Sequence, residues 1–234
     1  MQKVQTVIIM SMIFLSSTTF GQNTGEDLKN ENKSKRTAKT YLDLMINVVS
    51  TNLNYGGSNS NLSDYKKSNN GIQAGVSFQA GVTPGFSLVS ELYFMRKGGK
   101  LKVNNPLTNS ESTLHLNTLE LPLLARFHFG KFYMNAGPSI AYALSGDWKI
   151  NDKSSDLSFN NNSEGYKHFD AGIQAGGGFE FPFKQRRIAL DIRYNYGLTN
   201  IVYHKEIYNR ALMISVHFSK PWKTNPLGRH NNAE

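Results

Sequence analysis

Apolar residues recur at every second position along most of the chain from Thr40 onward, and not at helical spacing. The stretch 187–198 shows this most clearly. There Ile188, Leu190, Ile192, Tyr194, Tyr196 and Leu198 alternate with Ala189, Asp191, Arg193, Asn195 and Gly197. Successive side chains of a strand point to opposite faces, so this alternation predicts a strand with one apolar face and one polar face.

Eight stretches of this kind follow one another along the chain. They cover residues 40–50, 70–82, 86–97, 114–129, 131–145, 167–181, 187–198 and 207–219. The first alternates poorly, because Leu44, Met45 and Ile46 are consecutive apolar residues. The pattern therefore predicts eight strands, with the bounds of the first the least defined.

The connections between these strands alternate between short and long. Tight turns are predicted at 83–85 and 130–131, and a slightly longer turn at 182–187. The other segments, 51–69, 98–113, 146–166 and 199–206, are longer and polar. Short periplasmic turns and longer external loops are typical of outer-membrane barrels. We therefore predict an all-β fold, an eight-stranded antiparallel up-and-down transmembrane β-barrel with both termini in the periplasm.

Aromatic residues cluster toward the two ends of the predicted strands, as in the girdles at the two interfaces of a membrane. Those near the short turns are Phe86, Phe127, Phe129, Phe132, Phe179, Phe181 and Phe218. Those toward the long segments are Tyr93, Phe94, Tyr142, Trp148, Tyr194 and Tyr196.

Composition narrows the class of membrane protein. Only 39% of the residues are hydrophobic and the mean hydropathy is −0.43, which is low for a chain in contact with lipid. Outside the first residues, no segment has the ~20 continuous apolar residues that a spanning helix needs. Barrel strands show lipid only every second residue, so a barrel remains compatible. The lack of cysteine excludes disulfides, thiolate metal sites and a cysteine-linked lipid.

The first residues predict an exported protein. Lys3 provides a basic region, residues 7–15 are apolar, and the small residues Thr19 and Gly21 fit a cleavage site before Gln22. We therefore predict a signal peptide over 1–21; the alternative, a retained hydrophobic helix, is too short to span a membrane. A flexible periplasmic lead is predicted over 22–39, the barrel over 40–219, and a periplasmic tail over 220–234. Pro221 and Pro226 predict that this tail is not a strand.

The formal net charge of +9 comes partly from basic residues at the two ends of the chain. No basic helix or aromatic-basic motif accompanies them, so we expect no nucleic-acid partner. The expected partners are outer-membrane lipid, the barrel-insertion machinery and an external protein or glycan at the loops. We expect a monomer and no cofactor.

The polar face of the strands is predicted to point into the barrel. We expect its members to be Gln73, Gln79, Glu91, Glu120, Arg126, His128, Asp170, Gln174, Glu180, Asp191 and Arg193. Because buried charges must be paired, we predict a structural network of carboxylates around arginine. The residues of this predicted network are Glu91, Glu120, Arg126, Asp191 and Arg193. The alternative is an ion path or acid–base chemistry, but the interior of an eight-stranded barrel is just filled by side chains.

The sequence gives little support for a metal site, a phosphate-binding loop or a catalytic triad. The histidines show no metal-ligand spacing, and the glycine-rich stretch 172–178 lacks the strand–turn–helix setting of a phosphate loop. Spacing alone leaves a Ser–His–acid triad open, because its members need not be close in sequence. We predict no catalytic, cofactor-binding or metal-binding residues.

Several short strings resemble a known family. They include Gly71-Ile72-Gln73-Ala74-Gly75, Phe86-Ser87-Leu88 followed by Glu91-Leu92-Tyr93 and Lys97-Gly98, Leu119-Glu120-Leu121-Pro122-Leu123-Leu124, residues 133–138, and Arg193-Tyr194-Asn195-Tyr196-Gly197-Leu198-Thr199-Asn200-Ile201. They resemble the outer-membrane β-barrels common in Bacteroidetes, often named porin family or PorT family, over about residues 70–219. The resemblance implies an eight-stranded outer-membrane barrel and little about activity. Such barrels commonly end at an aromatic residue that the insertion machinery reads, whereas this chain continues beyond Phe218.

The expected function is therefore non-enzymatic. We predict an integral outer-membrane protein that supports the envelope or presents loops, such as 151–165, to an external ligand. The alternatives are a PorT-like accessory of a protein secretion system, a narrow pore, a lipid-modifying barrel enzyme, and a soluble calycin-type barrel. The last requires an apolar interior and a polar outside.

Overall fold

The computed structural model describes residues 40–151, 153–162, 165–184 and 186–221. These residues form ten strands and one 3-10 helix. The elements are β1 (Tyr41–Tyr55), the 3-10 helix (Gly57–Tyr65), β2 (Lys66–Lys67), β3 (Asn69–Thr83), β4 (Phe86–Leu101), β5 (Ser112–Phe129), β6 (Phe132–Ile150), β7 (Lys153–Asp156), β8 (Phe169–Phe183), β9 (Arg186–Gly197) and β10 (Ile207–Pro221). The part of the chain described here contains no helix with the length and hydropathy of a membrane span.

The eight long strands close into a barrel in the order β1, β3, β4, β5, β6, β8, β9, β10. All neighbours are antiparallel, and β10 returns to β1, with Pro221 opposite Tyr41 and Ile207 opposite Tyr55. Each long strand therefore pairs with the long strands next to it in sequence, which confirms the predicted up-and-down barrel. The short strands β2 and β7 extend the sheet beside β4 and β6.

The connections divide the barrel into two different ends. At one end, here called the turn end, residues 84–85 join β3 to β4, residues 130–131 join β5 to β6, and Phe183 pairs with Arg186 beside the third turn. Gly130 adopts a positive φ of 70°, which glycine tolerates without strain. Longer connections lie at the opposite end, here called the loop end, over 56–68, 102–111, 151–168 and 198–206.

The outer face of every long strand carries exposed apolar side chains, which together form a continuous belt. The belt includes one such residue from each long strand, in chain order Leu44, Ile72, Phe94, Leu121, Met134, Ile173, Ile192 and Ile214. The inner face is instead rich in buried polar and charged residues. This polarity is the reverse of what a soluble calycin-type barrel requires.

The first strand alternates regularly, contrary to the sequence expectation. Asp43 and Asn47 are buried inside, while Leu44 and Ile46 are exposed outside. The pattern was obscured because Met45 also points inward, where it joins an apolar cluster from β1, β4 and β10. Buried apolar residues inside the barrel made the two faces of this strand look alike.

Several strands extend further toward the loop end than predicted. β1, β4 and β6 end at Tyr55, Leu101 and Ile150, beyond the predicted ends at 50, 97 and 145. A tilted strand needs only about 9–11 residues to cross a bilayer, so the additional residues continue the sheet beyond it. The residues next to these strand ends that were assigned to loops are therefore barrel wall.

The end of the barrel differs slightly from the predicted bounds. β10 reaches Pro221, two residues past the predicted end at 219, and its proline stands at the last pair of the ladder. The predicted signal peptide over 1–21, the lead over 22–39 and the tail beyond Pro221 lie outside the described residues. They stay predictions.

Two of the predicted girdle aromatics face elsewhere. Tyr93 is only 1% exposed, because it is two residues from Glu91 and therefore on the same inward face. Trp148 is half-buried and lines a cavity at the loop end. It lies past an irregularity in the β5–β6 register at Asn117 and Thr118, which changes the residues that face outward. The other four on the loop side, Phe94, Tyr142, Tyr194 and Tyr196, are exposed on the outer face.

We predict that Ile214→Arg destabilises the barrel by about 2–4 kcal/mol. Ile214 is exposed near the middle of β10, where lipid would have to accept the charge. The measurement is reversible unfolding in urea from phospholipid vesicles. Val103→Arg, at an exposed position of the 102–111 loop, is the control and should leave the unfolding free energy nearly unchanged. Equal losses in the two variants would contradict a lipid-facing belt.

Candidate functional site: the charged interior and the loop-end cavity

The layer of charges nearest the turn end centres on Arg187. Its guanidinium donates to a carboxylate oxygen of Asp43 at 2.8 Å and to one of Glu180 at 2.7 Å. It also donates to Gln79 Oε1 at 3.0 Å, and it lies 3.8 Å from the ring centroid of Tyr41. Arg187 thus links its own strand, β9, to β1, β3 and β8, as a planar group with five donors can.

The middle layer centres on Arg193, which is almost completely buried. It donates to Glu91 Oε2 at 2.8 Å and to Asp191 Oδ1 at 2.6 Å. Arg126 lies on the other side of Asp191, with 3.9 Å between Nη2 and Oδ2, and its guanidinium stacks 4.0 Å from the ring centroid of Tyr133. Two arginines and two carboxylates therefore neutralise one another here.

The third layer lies toward the loop end and centres on Lys97. Its ammonium is 2.5 Å from Glu120 Oε1 and 3.3 Å from Asp170 Oδ2. Asn209 Nδ2 donates to the same Asp170 oxygen at 2.8 Å, and the Thr199 hydroxyl lies 2.9 Å from its other oxygen. A buried lysine between two carboxylates is held in its charged form by both.

The structure buries all five residues of the predicted network, but divides them. Glu91, Arg126, Asp191 and Arg193 share the middle layer, whereas Glu120 pairs with Lys97 in the third. Arginine, not lysine, was the predicted partner of Glu120. Lys97 was missed because it stood at the last position of a predicted strand. The inward series Glu91, Tyr93, Met95, Lys97 was the available signal.

Two more charged residues of the interior were also missed. Asp43 belongs to the first strand, whose alternation was unclear, and Arg187 stood where the predicted turn 182–187 meets the predicted strand 187–198. Of the other predicted inward residues, Gln73, Gln79, Asp170 and Gln174 are buried. The remaining two, His128 and Glu180, lie at the turn end and are partly exposed.

Inward glycines of β8 leave the space that the middle layer occupies. A Cβ at Gly176 would stand 2.7 Å from Cγ of Arg193, and one at Gly178 would stand 2.3 Å from the hydroxyl of Tyr133. Both would also meet backbone oxygens of β9 at 2.1 and 2.3 Å. The glycine-rich stretch 172–178 is thus part of a strand whose missing side chains leave room for residues of the neighbouring strands.

A Ser–His–acid arrangement lies at the turn end. Ser87 Oγ is 2.9 Å from His128 Nε2, and His128 Nδ1 is 3.8 Å from Glu180 Oε1. The second distance is too long for a hydrogen bond, and Glu180 is bonded to Arg187 instead. Ser87 is only 2% exposed, and Gln79 Nε2 donates to its oxygen at 3.3 Å. These contacts tie the three residues into the polar core.

The interior becomes apolar at the loop end. A cluster of buried residues there comprises Leu53, Tyr55, Leu62, Leu101, Leu114, Leu116, Ala143, Tyr166, Ile201, Val202 and Ile207. Beside it is a cavity of about 150 Å³, whose wall includes Leu114, Trp148, Asn59 and Lys205. The expectation of a polar interior therefore holds for the three layers but not for this end.

Histidine and carboxylate clusters suited to a metal are absent from the part of the chain that the structure describes. His115 Nδ1 lies 3.0 Å from Asp147 Oδ2 on the outer face of the loop end. Arg96 donates to the other oxygen of Asp147 at 3.1 Å, and the three side chains form a partly exposed polar group.

A closed barrel that is apolar outside and charged inside defines a transmembrane β-barrel. A family model described as the outer membrane protein beta-barrel domain matches residues 36–203, and the chain belongs to this family. It is therefore an integral protein of the outer membrane.

Similar solved structures include those of Ail and of the outer membrane protein OprG. Ail, the attachment invasion locus protein of Yersinia pestis, was solved in complex with the heparin analogue sucrose octasulfate. It is 11% identical, with a TM-score of 0.44 over 77% of this chain and 99% of Ail. OprG from Pseudomonas aeruginosa is 10% identical, with a TM-score of 0.48 over 81% of this chain and 98% of OprG. Similarity at this level carries no information about function. None of the curated proteins matches the sequence significantly.

We predict that Arg193→Met destabilises the barrel by about 3–5 kcal/mol, because it leaves Glu91 and Asp191 buried without their shared partner. The measurement is the unfolding free energy in urea. Arg96→Met is the matched control: Arg96 is 50% exposed, so losing its pair with Asp147 should cost under about 1 kcal/mol. Similar costs for the two variants would show that the middle layer does not support the fold.

Proposed function

We propose that this protein is non-enzymatic and acts through its external loops, which bind a protein or glycan outside the cell. The single observation that carries the proposal is the succession of three paired charge layers inside the barrel, with an apolar cluster above them. The barrel is a filled scaffold, and loops on a rigid scaffold are where binding residues concentrate.

The interior argues against a pore. Arg187, Arg193 and Lys97 each span the barrel between carboxylates, so a passing ion would have to break pairs in three successive layers. Buried charges without partners are costly, which keeps each layer closed. We expect the purified protein in planar bilayers to give no discrete conductance steps. Regular conductance steps from the wild-type protein would contradict the proposal.

The same contacts argue against an enzyme. Ser87 and His128 are the strongest pair for nucleophilic chemistry, but the acid beside them is bonded to Arg187. We expect a fluorophosphonate probe to leave the folded protein unlabelled. Labelling that Ser87→Ala abolishes, while Ser90→Ala on the same strand does not, would show a reactive serine and overturn this part of the proposal.

A second candidate is a PorT-like accessory role in protein secretion, supported by the strings at 119–124 and 193–201 that resemble that family. Such a role would place contacts at the periplasmic side, whereas loop-mediated binding places them outside. Short turns face the periplasm in outer-membrane barrels, so the turn end and the loop end separate the two. In this proposal the protein is a monomer, lipid surrounds the belt, and the barrel-insertion machinery inserts the chain into the membrane.

We predict that a photo-crosslinking residue at Val103, exposed in a loop-end connection, yields adducts with an external protein or glycan in intact cells. The same residue at Lys131, exposed in a turn, tests the secretion candidate. Val48, exposed in the belt, is the control and should yield lipid adducts alone. Protein adducts at Lys131 without any at Val103 would favour the secretion role over the proposed one.

A further inference from the structure

The cavity at the loop end is assembled from every long connection of the barrel. The 3-10 helix contributes Asn59, the 102–111 connection contributes Leu107, and the two later connections contribute Tyr166 and Lys205. The ends of the strands complete the wall with apolar side chains such as Leu114. Loops that only covered the barrel would not need to converge on one shared space.

The size of the cavity sets the size of an occupant. Its volume of about 150 Å³ exceeds the voids usual in protein interiors, which are seldom larger than a water molecule. An apolar cavity of about 150 Å³ holds a molecule such as benzene. One aromatic ring, or a short alkyl chain of similar volume, therefore fits.

Two polar groups in the wall add chemistry to this shape. Asn59 Nδ2 is buried without a hydrogen-bond acceptor, and an unpaired buried donor is costly unless a partner reaches it. Lys205 lines the same cavity and forms no ion pair with any other described residue. A donor and a cation beside an apolar space match an apolar molecule that carries a carboxylate.

The third layer of charges lies next to the cavity. Lys97 lies on β4 two residues from Gly99, which lines the cavity, and it is paired with Glu120 and Asp170. The third charged layer therefore closes the space beneath. An occupant of the cavity would therefore lie between this layer and the long connections.

We propose that the loop end binds a small carboxylate with one aromatic ring or a short alkyl chain, in the cavity between Leu114, Asn59 and Lys205. This inference rests on the proposed function, since it gives the external loops a small ligand of defined chemistry. It is tested separately, because it needs neither a macromolecular partner nor a cell.

The experiment titrates benzoate and hexanoate into the full protein in lipid nanodiscs and follows heat by calorimetry. We expect saturable binding of both, with benzyl alcohol, the uncharged analogue, binding at least tenfold more weakly. Leu114→Trp, which fills the cavity, should abolish binding of both carboxylates. Leu121→Trp, on the lipid-facing side of the same strand, should leave it unchanged.

Lys205→Met provides a second variant if Leu114→Trp fails to insert. It should weaken benzoate about tenfold or more and leave benzyl alcohol unaffected, as removal of a charged hydrogen-bonding partner predicts. No saturable heat with the wild-type protein, or equal binding by the wild type and Leu114→Trp, would overturn the inference. Neither result would affect the crosslinks expected at Val103, so failure here is distinguishable from failure of the proposed function.

Discussion

Closure of the hydrogen-bond ladder is the constraint from which the rest of this structure follows. Lipid offers no partners to backbone N–H and C=O groups, so a sheet in a membrane must have no free edge. Pairing of β10 with β1 removes the last two edges. With eight strands, that closure leaves an interior about as wide as the side chains that line it. Whatever points inward must therefore pack and pair with what points inward from the opposite wall.

The charges of the interior obey this constraint by forming compact groups. Each centre is one long cation that reaches carboxylates from different strands, as Arg193 reaches Glu91 on β4 and Asp191 on β9. On β8, Gly176 makes room for the aliphatic part of the Arg193 side chain. Closer to the loop end, apolar residues replace the ion pairs, so the interior has two parts of different polarity. The part with the three charged layers is a polar core inside an apolar outer face. The part at the loop end resembles the apolar core of a soluble domain.

Alternation made the strands and their order predictable, because lipid outside and polar groups inside give each face of a strand a different composition. It failed where both faces are apolar, as on β1 around Met45, and where a register irregularity near Asn117 changed which residues face outward. Partners in space were harder to predict than faces. Glu120 was expected inside, but its pairing with Lys97 depends on the tilt and stagger of β4 and β5, which sequence periodicity does not contain. The cavity was not predicted, since its wall combines the ends of several strands with residues from four separate connections.

The seam between β1 and β10 also bears on how the molecule is made. Tyr41 and Pro221 stand opposite each other although nearly the whole described chain separates them. Contacts this distant in sequence form slowly, and until they form both outer strands present open edges that can pair with other chains. The barrel therefore cannot be completed piecemeal from its first hairpins. The last strand must arrive before the first is secure, which makes the assembling chain dependent on something that shields those two edges in the meantime.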